Sequence, residues 1–361
     1  MKVLILSCNT GGGHNSCAKA IGTELLKRGH TYETDDALLY VSKGTSRFVS
    51  SWHVRFYRYF PKLYNKGYQY AEEHPASFDE SSAACRILRR GCKRLRATIL
   101  AGGYDAVVCV HLFPALMLTF IQQDSPLRIK TMFIATDYTA SPSCDRMRLD
   151  TCVIPDIALT DTFVKNGVNP DAIAPLGIPV RAELYACQPN QEAKRAVGLD
   201  PSHRHLLMMT GSMGCGPMEE ITEVLRGKMG TNDVLSVACS KNETLLKKLT
   251  KLSADCPNLR ILGQIDDVPK LMQATDVFLT KPGGLSTSEA AASGLPMVLI
   301  DAVAGCEEHN LDYFLRAGMA VTGDTPEEIA DLALHLAHDE KKLSAMRRTM
   351  QAANARPAAE A

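Results

Sequence analysis

Eight short runs of consecutive apolar residues are spaced along the chain, at Lys2–Ser7, Ala106–His111, Lys130–Thr136, His205–Gly211, Val234–Cys239, Leu259–Gly263, Val277–Lys281 and Met297–Asp301. Within each run the apolar residues are continuous rather than alternating. A strand of that kind is covered on both faces, which requires a parallel sheet with helices packed on each side. The segment Gly177–Asp200 is polar and lacks strand patterning, so it reads as a linker with a short helix. At 361 residues the chain has room for two domains. The expectation is an α/β protein with two Rossmann-like domains facing each other across a cleft. Residues 1–178 form the first domain, 179–200 the linker, 201–340 the second domain, and 341–361 a helix and tail.

Each half opens with a strand followed by a glycine turn. In the first, Lys2–Ser7 leads into GGGH at Gly11–His14, and good helix formers run from Ser16 to a basic last turn and a glycine stop at Arg28-Gly29. A strand, glycine loop and helix bring free N–H groups and a positive helix end to one point, which favours an anion or a hydroxyl losing its proton. The same residues also fit a plain strand-to-helix turn with His14 as a solvated cap. The spacing is not G-x-G-x-x-G, so nicotinamide cofactors are not indicated. The second half repeats the arrangement with TGSMGCG at Thr210–Gly216.

Lysine plus arginine equals aspartate plus glutamate, 40 each, so no global field points to nucleic acid. The 12 cysteines include no C-x-x-C pair, which argues against zinc ribbons and disulfide scaffolds and for a reducing compartment. Neither the N-terminal residues nor the apolar stretch Ala106–Ile121, interrupted by His111 and Pro114, reads as a signal peptide or membrane span. A cytoplasmic protein, peripheral on the inner face of the cell membrane, is expected.

The segment Thr280–Asn310 carries most of the chemical information. Pro282, Gly283 and Gly284 turn the chain after a strand, and Ser286, Thr287 and Ser288 then stand at a helix start, where hydroxyls and N–H groups can hold phosphate oxygens. Ser286 and Glu289 have the spacing of a capping box, so Glu289 can close its own helix. It can equally accept both hydroxyls of a ribose.

Taken together, several motifs resemble the GT-B glycosyltransferases of the monogalactosyldiacylglycerol synthase and processive diacylglycerol glucosyltransferase group. That group is related to the peptidoglycan enzyme that adds N-acetylglucosamine to lipid I. The matching pieces are GGGH (Gly11–His14), TD (Thr136-Asp137), GIPV (Gly177–Val180), GSMG (Gly211–Gly214), the stretch Gly263–Gly284 and STSEAAASGLP (Ser286–Pro296). They occur in family order across most of the chain.

The resemblance implies a UDP-sugar bound by the second domain, with no metal and no other cofactor. Gly211, Ser212 and Gly214 would approach the diphosphate, with Gly283, Gly284, Ser286 and Thr287 holding phosphate. Ile265 would meet the uracil through its backbone and Glu289 the ribose. Glu307 and Asn310 match positions that touch the sugar, although the two glutamates at 307 and 308 also suit an acidic helix start. Cys306 stands where the galactolipid enzymes have glutamine, which leaves the hexose open. The GGGH loop, with Gly12 and Gly13, would lie on the acceptor side. His14 would take the proton of the attacking lipid hydroxyl, with Asp137 as a second candidate base or as the group orienting His14. Direct displacement would invert the anomeric centre and give a β-glycoside. The histidine that the family carries downstream of TD is absent from Asp137–Asp150 here.

No acidic residue occurs between Asp36 and Glu72, and Arg47–Tyr70 is densely aromatic and basic. On a helix, Phe48, Trp52, Phe56 and Tyr59 form one stripe beside Arg55 and Arg58, with Pro61 dividing the segment. This pattern suits a helix lying in an anionic membrane interface, though an aromatic stripe also suits a domain core. The reading favoured is transfer of a hexose from a UDP-hexose to a membrane lipid, most simply 1,2-diacylglycerol, with no nucleic-acid partner. The alternatives are N-acetylglucosamine transfer to a polyprenyl-linked cell-wall precursor, and a UDP-N-acetylglucosamine 2-epimerase-like isomerase.

Overall fold

All eight apolar runs form strands in a computed structural model, which describes residues 1–9, 11–49, 82–185, 191–211, 214–303, 305–354 and 356–361. Trp52, Arg55, Phe56, Arg58, Tyr59 and Ser212 lie outside the described residues. The chain divides into two units: Met1–Arg181 with Val303–His309 and Ala358–Ala361, and Ala182–Ala302 with Asn310–Pro357.

The first unit is built on β1 (Lys2–Ser7), β2 (Thr31–Asp36), β3 (Ala106–Cys109), β4 (Lys130–Ile134), β5 (Thr151–Ile154) and β6 (Ile173–Pro175). They lie in the order β2-β1-β3-β4-β5-β6, every pair parallel. The second unit contains β7 (Arg204–Met209), β8 (Asp233–Ala238), β9 (Leu259–Leu262), β10 (Val277–Thr280), β11 (Met297–Leu299) and β12 (Ala320–Thr322). Their order is β12-β11-β10-β7-β8-β9, again wholly parallel. In each sheet the winding direction reverses once, between β1 and β3 in the first and between β7 and β10 in the second. Ligands of doubly wound sheets bind in the crevice at the carboxyl ends of the strands flanking such a reversal.

Four strands escape the apolar-run criterion, for a physical reason. β2 is TYETDD, an edge strand with Thr31, Glu33 and Thr34 exposed, so charge is tolerated and protects the edge. β6 and β12 are three-residue edge strands, and β5 is four residues long between irregular segments. The first helix also begins earlier than expected, at Gly12 rather than Ser16, with Gly11 as its N-cap and no side-chain cap. A tight strand-to-helix crossover places the helix start directly above β1, and Gly12 and Gly13 form its first turn without side chains in the way.

Each unit has its own core. In the first, Leu4, Leu6 and Cys109 pack against Leu88, Leu95 and Ile99 of the helix Ala83–Gly102 and against Leu116 and Phe120. In the second, Leu206, Met208, Leu235 and Leu279 pack against Ile221, Leu225, Ala333 and Leu336.

Candidate active site

His14 is the third residue of the helix Gly12–Lys27, above the carboxyl end of β1 and beside the reversal point of the first sheet. Its Nδ1 lies 2.8 Å from the carbonyl oxygen of Val110, the residue following β3. A carbonyl can only accept, so Nδ1 carries the proton and Nε2 holds the free lone pair. Thr136 Oγ1 stands 3.3 Å from the same Nδ1, and the His111 ring meets the His14 ring edge-on at 4.8 Å between centroids. Burial pushes the His14 pKa below its ordinary value. The Asp137 carboxylate and the Val110 carbonyl pull the other way without reversing the shift. The imidazole is therefore neutral at neutral pH, with one nitrogen fixed and the other basic.

A hydrogen-bonded chain holds the start of this helix. Ser7 Oγ donates to Asn15 Oδ1 at 2.8 Å, Asn15 Nδ2 to Asn9 Oδ1 at 3.1 Å, and Asn9 Nδ2 to Asp36 Oδ2 at 3.1 Å. Asp36 Oδ2 also accepts from Ser46 Oγ at 2.6 Å. The ends of β1 and β2 are thereby tied to the helix bearing His14 and to the helical residues 43–49.

In the second unit, the loops following β7, β10 and β11 carry the residues expected to hold the donor. Gly211, Gly214 and Gly216 all have positive φ, at 77°, 55° and 106°. A Cβ on Gly214 would sit 2.5 Å from the Cys239 carbonyl oxygen, so this turn requires glycine. Ser240 Oγ donates to the Gly211 carbonyl at 3.0 Å and Asn242 Nδ2 to the Gly214 carbonyl at 2.8 Å, fastening the loop to the end of β8. Ile265 is half-buried in the connection that follows β9.

The helix Gly284–Ala292 starts beside the reversal point, with Gly283 as N-cap and no side chain capping it. That geometry corrects the capping reading of Glu289. Ser286 is already the third helical residue, so Ser286 and Glu289 lie one turn too far in to form a capping box. Glu289 is buried at 8% exposure, in the second turn of the helix rather than over its end. Thr287 Oγ1 donates to the Gly283 carbonyl at 2.9 Å and Ser288 Oγ to the Gly284 carbonyl at 2.6 Å. The third hydroxyl, that of Ser286, is half-buried in the first turn and makes no hydrogen bond among the described residues.

Three further residues stand beside these, none of them singled out in the sequence. Lys281 is buried, with Nζ 2.8 Å from Asp301 Oδ2. Asp301 has φ of 47°, a left-handed conformation that costs a non-glycine residue energy and occurs preferentially at functional sites. The fully buried Thr280 Oγ1 has no hydrogen-bond partner among the described residues. Asn310 is fully buried and donates from Nδ2 to the Pro282 carbonyl at 2.9 Å, holding the turn before the helix. Glu307 Oε2 accepts the Val303 N–H at 2.9 Å.

Comparison with known proteins bears out the resemblance in the motifs. Residues 14–180 match the family model described as monogalactosyldiacylglycerol (MGDG) synthase, and residues 225–353 match glycosyl transferases group 1. Both halves of the chain thus carry glycosyltransferase sequence. A processive diacylglycerol beta-glucosyltransferase of Bacillus pumilus is 27% identical, covering 97% of this chain and 90% of the relative. Among solved structures, Acinetobacter baumannii MurG superposes with a TM-score of 0.61 at 16% identity, covering 97% of this chain and 94% of that one. The Staphylococcus aureus MnaA–UDP co-structure superposes with 0.61 at 14% identity, over 97% and 91%. The fold is GT-B, with two Rossmann-like units.

Proposed function

We propose that this chain is an inverting glycosyltransferase that moves a hexose from a UDP-sugar to a membrane lipid, 1,2-diacylglycerol, to form a β-glycosyl glycerolipid. The observation that carries the reading is the fixed tautomer of His14. With Nδ1–H held by the Val110 carbonyl, Nε2 is a neutral base at the crevice end of the first sheet.

In the reaction, the lipid hydroxyl oxygen bonds to the anomeric carbon as its proton passes to Nε2. The bond from that carbon to the β-phosphate oxygen breaks, and its electron pair leaves with UDP. Attack opposite the leaving group inverts the α-linked donor to a β-product. Charge growing on the diphosphate is met by the uncapped start of Gly284–Ala292, by Ser286 and by the Lys281 ammonium. These groups supply the stabilisation without calling on a metal or an additional cofactor. Glu289 takes the ribose hydroxyls.

Support for the acceptor comes from the diacylglycerol glucosyltransferase relative, and support for the nucleotide from the neighbour bound to UDP. None of the described helices is long and apolar enough to cross a membrane. A membrane-lipid acceptor is reached from the bilayer surface, and on that ground we place the enzyme peripherally, on the inner face of the cell membrane, with no nucleic-acid partner. The test is a product assay in which protein, diacylglycerol-containing anionic liposomes and a panel of UDP-hexoses are incubated and the lipids examined by mass spectrometry. A hexose mass added to diacylglycerol establishes the reaction and identifies the donor. UDP binding without glycolipid from any donor would reject diacylglycerol as acceptor.

A further inference from the structure

His111 follows Val110, whose carbonyl accepts the His14 Nδ1–H, in the turn after β3. It is the N-cap of the helix Leu112–Asp124, and its Nδ1 accepts the Phe113 N–H at 3.0 Å. A ring nitrogen that receives an N–H carries no proton, so the proton of the neutral ring sits on Nε2. The two neighbouring imidazoles thus hold opposite tautomers, His14 with its proton on Nδ1 and His111 on Nε2. Helix starts select Ser, Thr, Asp and Asn, which accept the same N–H with smaller side chains. Capping alone therefore leaves an imidazole at position 111 unexplained.

The ring has other contacts. It meets the His14 ring at 4.8 Å between centroids with 70° between the planes, and the Phe113 ring at 4.7 Å and 56°. Phe113 in turn packs against the core of the first unit. His111 therefore touches both the base and an aromatic ring anchored in the core. The Val110 hydrogen bond fixes one atom of the His14 ring, and Thr136 Oγ1 approaches that same Nδ1. A point held at Nδ1 does not define a plane, and Nε2, across the ring, would swing about it. The edge contact with His111 supplies the missing constraint. Val110 is itself tied to β1 by its N–H, which donates to the Leu6 carbonyl at 3.0 Å. Two consecutive residues thus provide the main-chain acceptor and the ring wall for one base.

We propose that His111 is a positioning residue of the transfer reaction: its ring, held by the Phe113 N–H, sets the plane of the His14 imidazole and so the direction of Nε2. This role rests on the reading of His14 as the base of glycosyl transfer. Proton transfer needs the base within about 0.5 Å and 10–20° of its productive geometry, and a misplacement of about 1 Å costs about a hundredfold.

Two substitutions separate the ring from the cap. H111N keeps an acceptor for the Phe113 N–H and removes the ring, whereas H111F keeps a ring and removes the acceptor. In H111N, kcat for hexose transfer to diacylglycerol should fall about tenfold, with KM for the UDP-hexose within about twofold of wild type. H111F should recover most of that loss. Thermal unfolding should rank the variants in the opposite order, H111N near wild type and H111F below it, as loss of a cap predicts. Carbon relaxation at Cε1 of His14 reads the same contact without turnover. Its order parameter should fall in H111N and persist in H111F, with the Nδ1 proton in place in both. Unchanged kcat and order parameter in H111N would make His111 a cap alone and overturn the proposal. Slow turnover in both variants with an unchanged order parameter would overturn it too, by placing His111 against the reactants. If wild type transfers no hexose to diacylglycerol while the order parameters follow the expected pattern, the positioning contact stands and the acceptor assignment falls.

Discussion

Lys281 and Asp301 join the ends of two neighbouring strands of the second sheet, Nζ of one lying 2.8 Å from Oδ2 of the other. Lys281 is buried, whereas the Asp301 side chain is 40% exposed and set on a left-handed backbone. The pair thus joins an enclosed cation to a carboxylate that solvent or ligand can reach. Asp301→Asn keeps a residue tolerant of positive φ and removes the counter-charge. After allowance for solvent screening at the exposed partner, stability should fall by about 1–2 kcal/mol. UDP should then restore more than it adds to wild type, because its diphosphate replaces the missing carboxylate. Thermal unfolding with and without UDP measures this, and equal UDP-induced shifts in both proteins would detach Lys281 from donor binding.

Replacing His14 by alanine should lower kcat about a hundredfold or more while UDP affinity stays near the wild-type value. The pH profile follows from the direction of its shift. Because burial lowers the pKa, the base is lost only as pH falls through a value below about 6.5, and activity is full at neutral pH. Asp137→Asn removes a carboxylate that raises this pKa, so the acidic limb should move to still lower pH. A limb that stays in place, measured as kcat/KM against pH, would show that His14 is not the titrating base.

Glu289→Ala separates a ligand contact from a helix cap. Helix Gly284–Ala292 begins at Gly283, so truncating Glu289 leaves the cap geometry untouched. UDP affinity should fall about tenfold or more, as expected when a charged acceptor of two hydroxyls is lost. Isothermal titration with UDP decides the matter, and unchanged affinity would assign the residue a purely structural role.

His205 gives the second unit a pH dependence of its own. It is fully buried, with Nδ1 2.8 Å from the Ala274 carbonyl and Nε2 2.8 Å from Ser236 Oγ, and burial lowers its pKa to about 4. Above about pH 6.5 neither folded nor unfolded chains protonate this residue, so no penalty exists. Between that pH and about 4 the unfolded chain binds the proton first, and stability falls with pH by about 3 kcal/mol in total. Denaturant unfolding of wild type and His205→Gln at pH 7 and pH 5 should show a smaller loss in the variant. An identical loss would place the proton uptake elsewhere.

The central strands were legible because a parallel sheet enclosed between helices leaves continuous apolar runs. β2 was not, because Glu33 and Asp35 are affordable only at an edge, where they resemble a loop. His14 stood out through the glycines before it. Its partner at Val110 did not, since a carbonyl 96 residues away has no sequence signature. The Ser286–Glu289 spacing suggested a cap, and the competing claim of Gly283 on the helix start became visible only in the backbone. Lys281 and Asp301 belong to separate strands, and only the strand order β11-β10-β7 brings them to one sheet edge.

The contact that sets the His14 tautomer comes from main chain, and this has an evolutionary consequence. A side-chain substitution at position 110 leaves the carbonyl where β3 places it, so the proton on Nδ1 is insulated from mutation there. Only a change that slips or breaks β3 against β1 can withdraw it. The position of the proton on His14 is in this sense inherited with the strand pairing, whatever side chains line the rest of the crevice.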